Sequence, residues 1–228
     1  MYQHQDGICL RKINKGDLHS LHALKQESWW GTHRTLISNI EDQLRWYESL
    51  GHDSLFMMAE SATAKGWTSV PKSAAKMVPI GVACFTEIDW YARTLNISGS
   101  IFKNYRKEWN EVVMPAFSAG LDFAFEVLNM HRVGAEVLET HAAAQKLELD
   151  HLGFVIEGRR RKAVYKAGKY YDSVQLGLLR EEWEQHPRVQ GYQHGCCNDN
   201  FDHVQAEKFI DRFNQVYLTA RDDQQLPF

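Results

Sequence analysis

The sequence has no strong net charge of either sign. Its 228 residues include 26 lysines and arginines against 29 aspartates and glutamates, which gives a formal net charge of −3. A chain that holds nucleic acid through a general basic field is far more positive than this. Nucleic acid is therefore a partner only if a local basic patch binds it, and it is not the favoured partner.

Long apolar runs are also missing. The sequence has no run of about 18 apolar residues, so it predicts no membrane-spanning helix and no membrane partner. The first residues, among them Tyr2, His4 and Asp6, do not form the apolar stretch that opens a secreted chain. We therefore expect a cytoplasmic protein.

Cysteine is scarce, with four residues in the chain. Cys9 and Cys84 lie in apolar, strand-like runs, and the adjacent pair Cys196 and Cys197 is poorly placed for a disulfide framework. Free thiols in a reducing compartment are the expected state. The histidines around the adjacent pair fit no zinc-site spacing, so no metal site is predicted.

The sequence does have the composition of a globular domain, with 44% hydrophobic and 24% charged residues. Apolar periodicity predicts strands at 8–13, 55–60, 79–88, 94–102, 133–138, 154–165 and 170–179. It predicts helices at 18–28, 40–50, 109–129, 142–151, a short one from 181, and 201–218. This order indicates an α/β (α+β) fold. Residues 1–187 form the predicted main domain, and 188–228 form a loop-helix extension packed on that domain or on a partner.

The rest of the chain is organised around residues 102–137. This stretch reads as the end of a strand, a basic loop, one long helix with an apolar face, and another strand. Pro115 lies inside the helix and predicts that its regular part starts or kinks there. A helix that starts at the carboxyl end of a strand directs unpaired N–H groups to that point, which favours an anion. We expect the functional site there.

Several short motifs carry a resemblance to a known family. They are HRVGAEVLE at 131–139, LGF at 152–154, YKAGKYYD at 165–172, PIGV at 79–82 and TEID at 86–89. In this order and spacing they resemble the GNAT superfamily of N-acetyltransferases. The similar branches act on ribosomal-protein N-termini and on nucleotide-linked amino sugars. The resemblance covers roughly residues 8–184.

The resemblance implies a GNAT-like mixed, mostly antiparallel central sheet of about seven strands flanked by helices, with an extra C-terminal helix. It also implies acetyl-CoA as co-substrate. The acceptor would be a primary amine that attacks the thioester directly, namely a protein N-terminus, an amino-sugar nucleotide or another small amine. The residues implied for the CoA site are Ile101, Phe102, Lys103, Arg106, Lys107, Asn110 and His141.

The sequence departs from the family pattern at four places. The loop for the CoA pyrophosphate is degenerate, because Trp109 and Glu111 stand where the family has glycines. Phosphate binding there would depend on the basic side chains nearby. His141 replaces an asparagine, and Leu149 replaces a tyrosine that acts as general acid. One extra residue between His141 and Gly153 predicts a bulge in that helix.

Three residues are candidates for proton transfer. Glu87 is the first candidate for the base that accepts the proton of the amine, and the alternative is a solvated carboxylate at a strand end. His141 is either a base or the cap of the following helix, with the cap favoured. Tyr165, like its neighbours Tyr170 and Tyr171, either protonates the thiolate or packs on the hairpin.

The acceptor side is expected to use an aromatic and basic cluster. Its residues are Trp29, Trp30, His33, Arg34, Asp89 and Tyr171. Such a cluster suits the binding of a ring, a sugar nucleotide or a base. An equally supported alternative is that these residues only make a hydrophobic contact with the sheet. The basic run at 159–162 either offers one face to phosphate groups or protects an exposed edge strand, and the second interpretation is favoured.

Two other functional interpretations stay open. A GNAT-fold protein without the usual glycines would modify nucleic acid or a nucleotide with another donor, or would serve as a binding module. The segment from Gln190 onward would act as a dimerisation arm, so the sequence is compatible with a monomer or a homodimer.

Overall fold

A computed structural model describes residues 1–4, 6–28, 39–61 and 77–190 of the protein. The strands are β1 (Tyr2–Gln3), β2 (Ile8–Lys12), β3 (Leu55–Ser61), β4 (Val78–Asp89), β5 (Thr94–Ile101), β6 (Arg132–Leu138), β7 (Val155–Lys166) and β8 (Lys169–Leu179). The helices are α1 (Leu18–Ser28), α2 (Ile40–Glu48), α3 (109–127), α4 (142–151), α5 (Arg180–Gln185) and α6 (Pro187–Gln190). Short 3-10 turns lie at Lys15–Asp17 and Lys103–Tyr105.

The eight strands form one sheet in the order β1-β2-β3-β4-β5-β6-β8-β7. Neighbouring strands run antiparallel except β5 and β6, which run parallel. The predicted mixed, mostly antiparallel sheet flanked by helices is therefore confirmed. The additional strand is β1, which pairs with β2. A strand of two residues has no apolar alternation that a sequence pattern can reveal.

Different helices cover the two faces of the sheet. On one face, Ala83 and Phe85 of β4 belong to the same apolar cluster as the residues of α3. On the other face, Val82 and Cys84 pack with residues of α1 and α2. Successive strand residues point to opposite faces, so β4 contributes to both cores. We call these the α3 face and the α1–α2 face.

Helix α3 is more deeply buried than a single apolar face predicts, because every residue from 118 to 125 is buried. The residues predicted for its apolar face all lie in the main core, namely Val113, Phe117, Leu121, Ala124 and Phe125, followed by Leu128 after the helix. Regular α-helix spans Met114–Asp122 and begins with Pro115 in its first turn, a position that suits proline. The segments Trp109–Val113 and Phe123–Val127 on either side are wider π-helical turns.

Helix α4 changes geometry halfway along its length. Ala142–Gln145 is α-helical, and Lys146–His151 is π-helical. A π-helical turn accommodates an additional residue within a helix. The bulge predicted from the extra residue before Gly153 is therefore confirmed.

Backbone contacts divide the chain into two units, Met1–Val189 and Gln190–Phe228. The second unit beyond Gln190 lies outside the described residues, as does the helix predicted at 201–218. The domain boundary after residue 187 and the placement of the C-terminal extension stay predictions. In the part of the chain that the structure describes, no helix is both long enough and apolar enough to cross a membrane.

Candidate active site

The parallel strands β5 and β6 separate halfway along their length. They pair at Thr94↔Arg132, Leu95↔Val133 and Asn96↔Gly134, and the pairing ends there. Beyond this point β5 stays bonded to β4, and β6 stays bonded to β8. A wedge-shaped gap therefore opens between 97–101 of β5 and 135–138 of β6, and we call it the cleft. The backbone edge of β5 along the cleft is available to an extended ligand.

The wall of the cleft on the α3 face is apolar. The ring of Phe117 lies so close to Gly99 that a Cβ on Gly99 would stand 3.1 Å from Phe117 Cε1. A shallow depression in this region is lined by Ala59, Val82, Ala83, Ile97, Ser98, Gly99, Ile101, Ala116, Phe117 and Gly120. Small and apolar lining residues suit an uncharged chain.

Glu87 lies near the closed end of the cleft. Its Oε2 accepts a hydrogen bond of 2.5 Å from Nδ2 of Asn96, the last β5 residue paired with β6. The backbone of Glu87 has φ +53°, in the left-handed region that non-glycine residues seldom adopt. The regular pairing of β4 with β5 is interrupted between Thr86 and Asp89. The exposed carboxylate of Glu87 therefore sits on a strained bulge next to the point where the strands separate.

Asn96 is part of the arrangement around Glu87, although no motif in the sequence singles it out. Its Oδ1 occupies the space that a side chain on Gly134 would need. A side chain at residue 134 would therefore have to displace the amide group of Asn96 from its present position beside Glu87. Asp89 accepts hydrogen bonds from the amides of Tyr91 and Ala92 in the β4–β5 turn, at 2.9 and 2.8 Å, and its role on the acceptor side stays a prediction.

The basic loop after β5 divides into anchoring and exposed side chains. Arg106 donates to the carbonyl of Ile101 at 2.9 Å and to the hydroxyl of Ser28 at 2.9 Å. Its guanidinium therefore ties the end of β5 to the end of α1. The side chains of Lys103 and Lys107 are exposed beside it. Phe102, the residue that precedes the loop, packs on the α1–α2 core.

The first turn of α3 has no side-chain cap among the described residues. Its N–H groups at Trp109, Asn110 and Glu111 are those that a helix leaves without internal partners. The start of the helix dipole and these amides favour an anion, whereas the carboxylate of Glu111 opposes one. The ring of Trp109 makes an edge contact with His151 of α4, with 5.8 Å between ring centroids.

His141 caps helix α4. Its Nδ1 accepts a hydrogen bond of 3.0 Å from the amide of Ala144. The structure therefore confirms the favoured interpretation that His141 caps this helix. In the neutral ring the proton then resides on Nε2.

Helix α4 also presents a polar pair that the sequence analysis did not identify. Ala144, Leu147, Glu148 and His151 follow the spacing of one helix face, and Leu147 is buried in the main core. The Glu148 Oε2 and His151 Nε2 atoms are buried and have no hydrogen-bond partner in the described structure. Burial raises the pKa of Glu148 from its ordinary value of 4.5 to about 8. The sequence carries no clear signal for this residue, because the π-helical turn changes which positions of α4 point inward.

The tyrosines of the β7–β8 hairpin lie at its tip. Tyr165 and Tyr170 face each other across the two strands, with ring centroids 5.0 Å apart. Their exposed fractions are 62% and 64%. This contact is the cross-strand packing that the sequence offered as the alternative to catalysis. Tyr171, the third hairpin tyrosine, is half-buried.

The basic run on β7 lies on an edge strand, and its first two arginines form ion pairs. Arg159 forms ion pairs with Glu139 and Asp172, and Arg160 pairs with Glu136. β7 is the last strand of the sheet, as the favoured interpretation of this run requires. The predicted acceptor residues Trp29, Trp30, His33 and Arg34 lie outside the described residues.

A family model for the acetyltransferase (GNAT) domain matches residues 8–155. The chain belongs to the GNAT acetyltransferase family. Among curated proteins, it is similar to YdaF of Bacillus subtilis (strain 168), whose name describes it as a ribosomal N-acetyltransferase. The two are 27% identical over 104 residues, which is 46% of this chain and 55% of YdaF. The prophage-derived N-acetyltransferase YokL of the same organism is 36% identical over 64 residues, which is 28% of this chain and 36% of YokL.

The chain matches about half the length of YdaF and a third of YokL, whereas the structural likeness is more extensive. The spermidine N-acetyltransferase of Vibrio cholerae, solved with CoA and spermine, superposes with a TM-score of 0.66 at 19% identity. The match covers 78% of this chain and 99% of that one. A dodecameric structure of the same enzyme gives a TM-score of 0.63 at 19% identity, with 79% and 98% covered. The GNAT fold predicted from the sequence motifs is thus confirmed.

Proposed function

We propose that the protein transfers an acetyl group from acetyl-CoA to a primary amine. The observation that carries this function is the separation of β5 and β6 beyond Asn96 and Gly134, which leaves an extended backbone edge beside an apolar wall. A chain with amide groups, such as the pantetheine arm of CoA, would bind along that edge as an additional strand does. Membership of the GNAT family supports the same donor.

The residues at the mouth of the cleft fit the phosphate end of this donor. The uncapped first turn of α3 supplies N–H groups, and Lys103 and Lys107 supply exposed positive charge nearby. Arg106 also holds the loop, because its Nε and Nη2 atoms donate to Ile101 and Ser28. A guanidinium carries five N–H donors, so these two contacts leave it able to reach a phosphate as well. Without the family glycines, side-chain charge would carry more of the phosphate binding.

Glu87 is suited to accept the proton of the amine. In the transfer, the neutral amine nitrogen attacks the thioester carbonyl carbon, a C–N bond forms, and the C–S bond breaks with its electron pair on sulfur. The attacking nitrogen must also lose a proton, which Glu87 would accept directly or through a water molecule. A carboxylate held by Asn96 at the closed end of the cleft is positioned for this step.

The acceptor is proposed only as a class, a primary amine that carries positive charge in water. The exposed carboxylate of Glu87 favours such a group. The ion pairs of Arg159 and Arg160 leave those two arginines less suited to nucleic-acid phosphates. Small amines and peptide N-termini are therefore preferred to nucleic acid.

Amine-dependent release of thiol from acetyl-CoA tests this function. The acceptors are spermidine, a peptide with a free N-terminal amine, and an amino-sugar nucleotide, and mass spectrometry identifies the acetylated product. Release above the rate of hydrolysis with at least one acceptor is the expected result. Protein freed of bound CoA that releases no thiol with any of these amines would contradict the function.

A further inference from the structure

The inner face of α4 contains two buried polar atoms that the structure leaves without partners, Oε2 of Glu148 and Nε2 of His151. A buried polar group without a hydrogen bond costs stability and calls for an explanation. The helix gives no structural reason for a carboxyl group at residue 148. Leu147 beside it packs in the apolar core without any such need.

The position of α4 relates these atoms to the cleft. The helix follows β6 after a short connection capped by His141, and its last turn contacts Trp109 at the start of α3. β6 leads into α4 and β5 leads into α3, and these two strands separate beyond Asn96 and Gly134, so α4 links the two sides of the space that opens there. The inner face of α4, with Glu148 one turn before His151, therefore spans the mouth of that space.

The surroundings of Glu148 keep its carboxyl group neutral at pH 7. Burial alone raises the pKa of Glu148 to about 8. His151, one turn further along α4, is the titratable neighbour on the same helix, and its ring contacts Trp109 at the start of α3, where Glu108 and Glu111 flank Trp109 in the chain. A carboxylic acid that stays protonated at neutral pH is a proton donor rather than a base.

We propose that Glu148 is the general acid that protonates the sulfur atom of the departing CoA. This assignment rests on the acetyl transfer proposed above. When the C–S bond breaks, its electron pair moves to sulfur, and the carboxyl proton of Glu148 passes to that sulfur to give a neutral thiol. The resulting carboxylate recovers a proton from water after the thiol leaves. The proton of the amine leaves separately through Glu87.

The chemistry of the leaving group favours such a donor. An alkyl thiol has a pKa of about 8.5, so its thiolate is a charged species that an apolar cleft disfavours. A donor whose pKa lies close to that of the leaving group transfers its proton with little free-energy cost. Leu149, at the position where the family resemblance implies a tyrosine, cannot donate a proton, and Glu148 is its neighbour in the chain.

The first test uses the ligand-free protein and needs no turnover. Carbon-13 carboxyl NMR of glutamate-labelled protein, compared with Glu148→Gln, should show one signal that titrates near pH 8 and is absent from the variant. A Glu148 signal that titrates near 4.5 would overturn the assignment, because the group would then be ionised at neutral pH.

The second test separates proton donation from a structural contribution. Glu148→Gln should lower kcat by about 100-fold or more, with the KM for acetyl-CoA changed by less than about threefold. The kcat of the wild-type protein should decline above about pH 8, and the substitution should remove this decline. Glu181→Gln, an exposed glutamate on α5, is the matched control. Glu148→Leu replaces the glutamine variant if that protein fails to fold.

The outcomes distinguish a failure of the Glu148 assignment from a failure of the proposed acetyl transfer. If the wild-type protein turns over and the variant has the same kcat and pH profile, Glu148 is not the general acid. The proposed acetyl transfer would still stand. A fall in kcat that only follows weaker acetyl-CoA binding would also overturn it. A wild-type protein that releases no thiol with any amine would overturn both.

Discussion

Nδ2 of Asn96 donates a hydrogen bond of 2.5 Å to Oε2 of Glu87. This contact joins the last β5 residue that pairs with β6 to a β4 residue in a strained backbone conformation. A non-glycine residue in the left-handed region costs about 1–3 kcal/mol and persists where the surrounding structure enforces it. The contact holds a carboxylate at the closed end of the cleft, and the amide oxygen of Asn96 occupies the space beside Gly134 of β6.

Glu87→Gln should lower kcat for amine acetylation by about 10²- to 10⁴-fold, because an amide cannot accept the proton of the amine. Glutamine keeps an oxygen for the hydrogen bond from Asn96, so folding and the KM for acetyl-CoA should change little. Steady-state kinetics with a saturating amine measure the effect. Glu41→Gln, an exposed glutamate in the first turn of α2, is the control. An unchanged kcat would mean that Glu87 is a solvated carboxylate at a strand end and not the base.

Gly134→Ala should displace Asn96 and with it Glu87, since the added Cβ would occupy the position of Asn96 Oδ1. Overpacking of this kind costs about 1–3 kcal/mol in the free energy of unfolding. Urea denaturation and kcat measure the two effects. The double variant Asn96→Ala/Gly134→Ala should recover the stability, because the smaller side chain removes the clash, while kcat stays low.

The control for this substitution is Gly158→Ala on β7. A Cβ there would meet its nearest atom, Oε1 of Gln175, at 3.8 Å, which is ordinary van der Waals contact. Stability of the Gly134→Ala variant equal to that of the control would show that Asn96 does not depend on the glycine.

The long helix and the strands around it could be predicted from sequence because their apolar periodicity is strong. The core positions predicted on α3 follow from apolar spacing, and the edge position of β7 follows from its basic run. The contact of Asn96 could not be predicted, since it depends on where two strands separate and on a β-bulge at Glu87. Such tertiary relationships have no local signal in the chain.

The inward position of Glu148 could not be predicted for a different reason. The extra residue in α4 turns its second half into π-helix, so a residue count through the helix no longer identifies which side chain points inward. Counting alone drew attention to Leu149. The side chain whose oxygen is buried is its neighbour Glu148.

The stability of the protein should depend on the protonation of Glu148. The pKa of this group is raised by folding, from 4.5 to about 8, so its neutral form favours the folded state. The associated stability is fully present below pH 4.5 and is lost as the pH rises to about 8, by about 1.4 kcal/mol for each pH unit in between. Glu148→Gln should therefore be more stable than the wild type at pH 9, by up to about 5 kcal/mol. Thermal or urea unfolding at pH 5 and pH 9 measures the difference. Equal pH dependence in the two proteins would contradict a buried neutral carboxyl group.

Glu111→Gln should tighten the binding of acetyl-CoA by about two- to fivefold. The substitution removes a negative charge from the first turn of α3, where a phosphate would meet the helix dipole. The gain should shrink at high salt because the residue is exposed. Calorimetry at low and high ionic strength measures it, with Glu181→Gln as the control. Unchanged affinity would mean that the phosphates do not lie at this turn.

Calorimetric titration with acetyl-CoA tests the central claim most directly. The wild-type protein should bind with a dissociation constant in the micromolar range, about −8 kcal/mol. ATP, which lacks the pantetheine arm, should bind far more weakly. Lys103→Ala/Lys107→Ala should weaken acetyl-CoA binding by about tenfold, whereas Lys12→Ala at the end of β2 should leave it unchanged. No detectable binding of acetyl-CoA by the wild-type protein would contradict the account, and the search would turn to another donor.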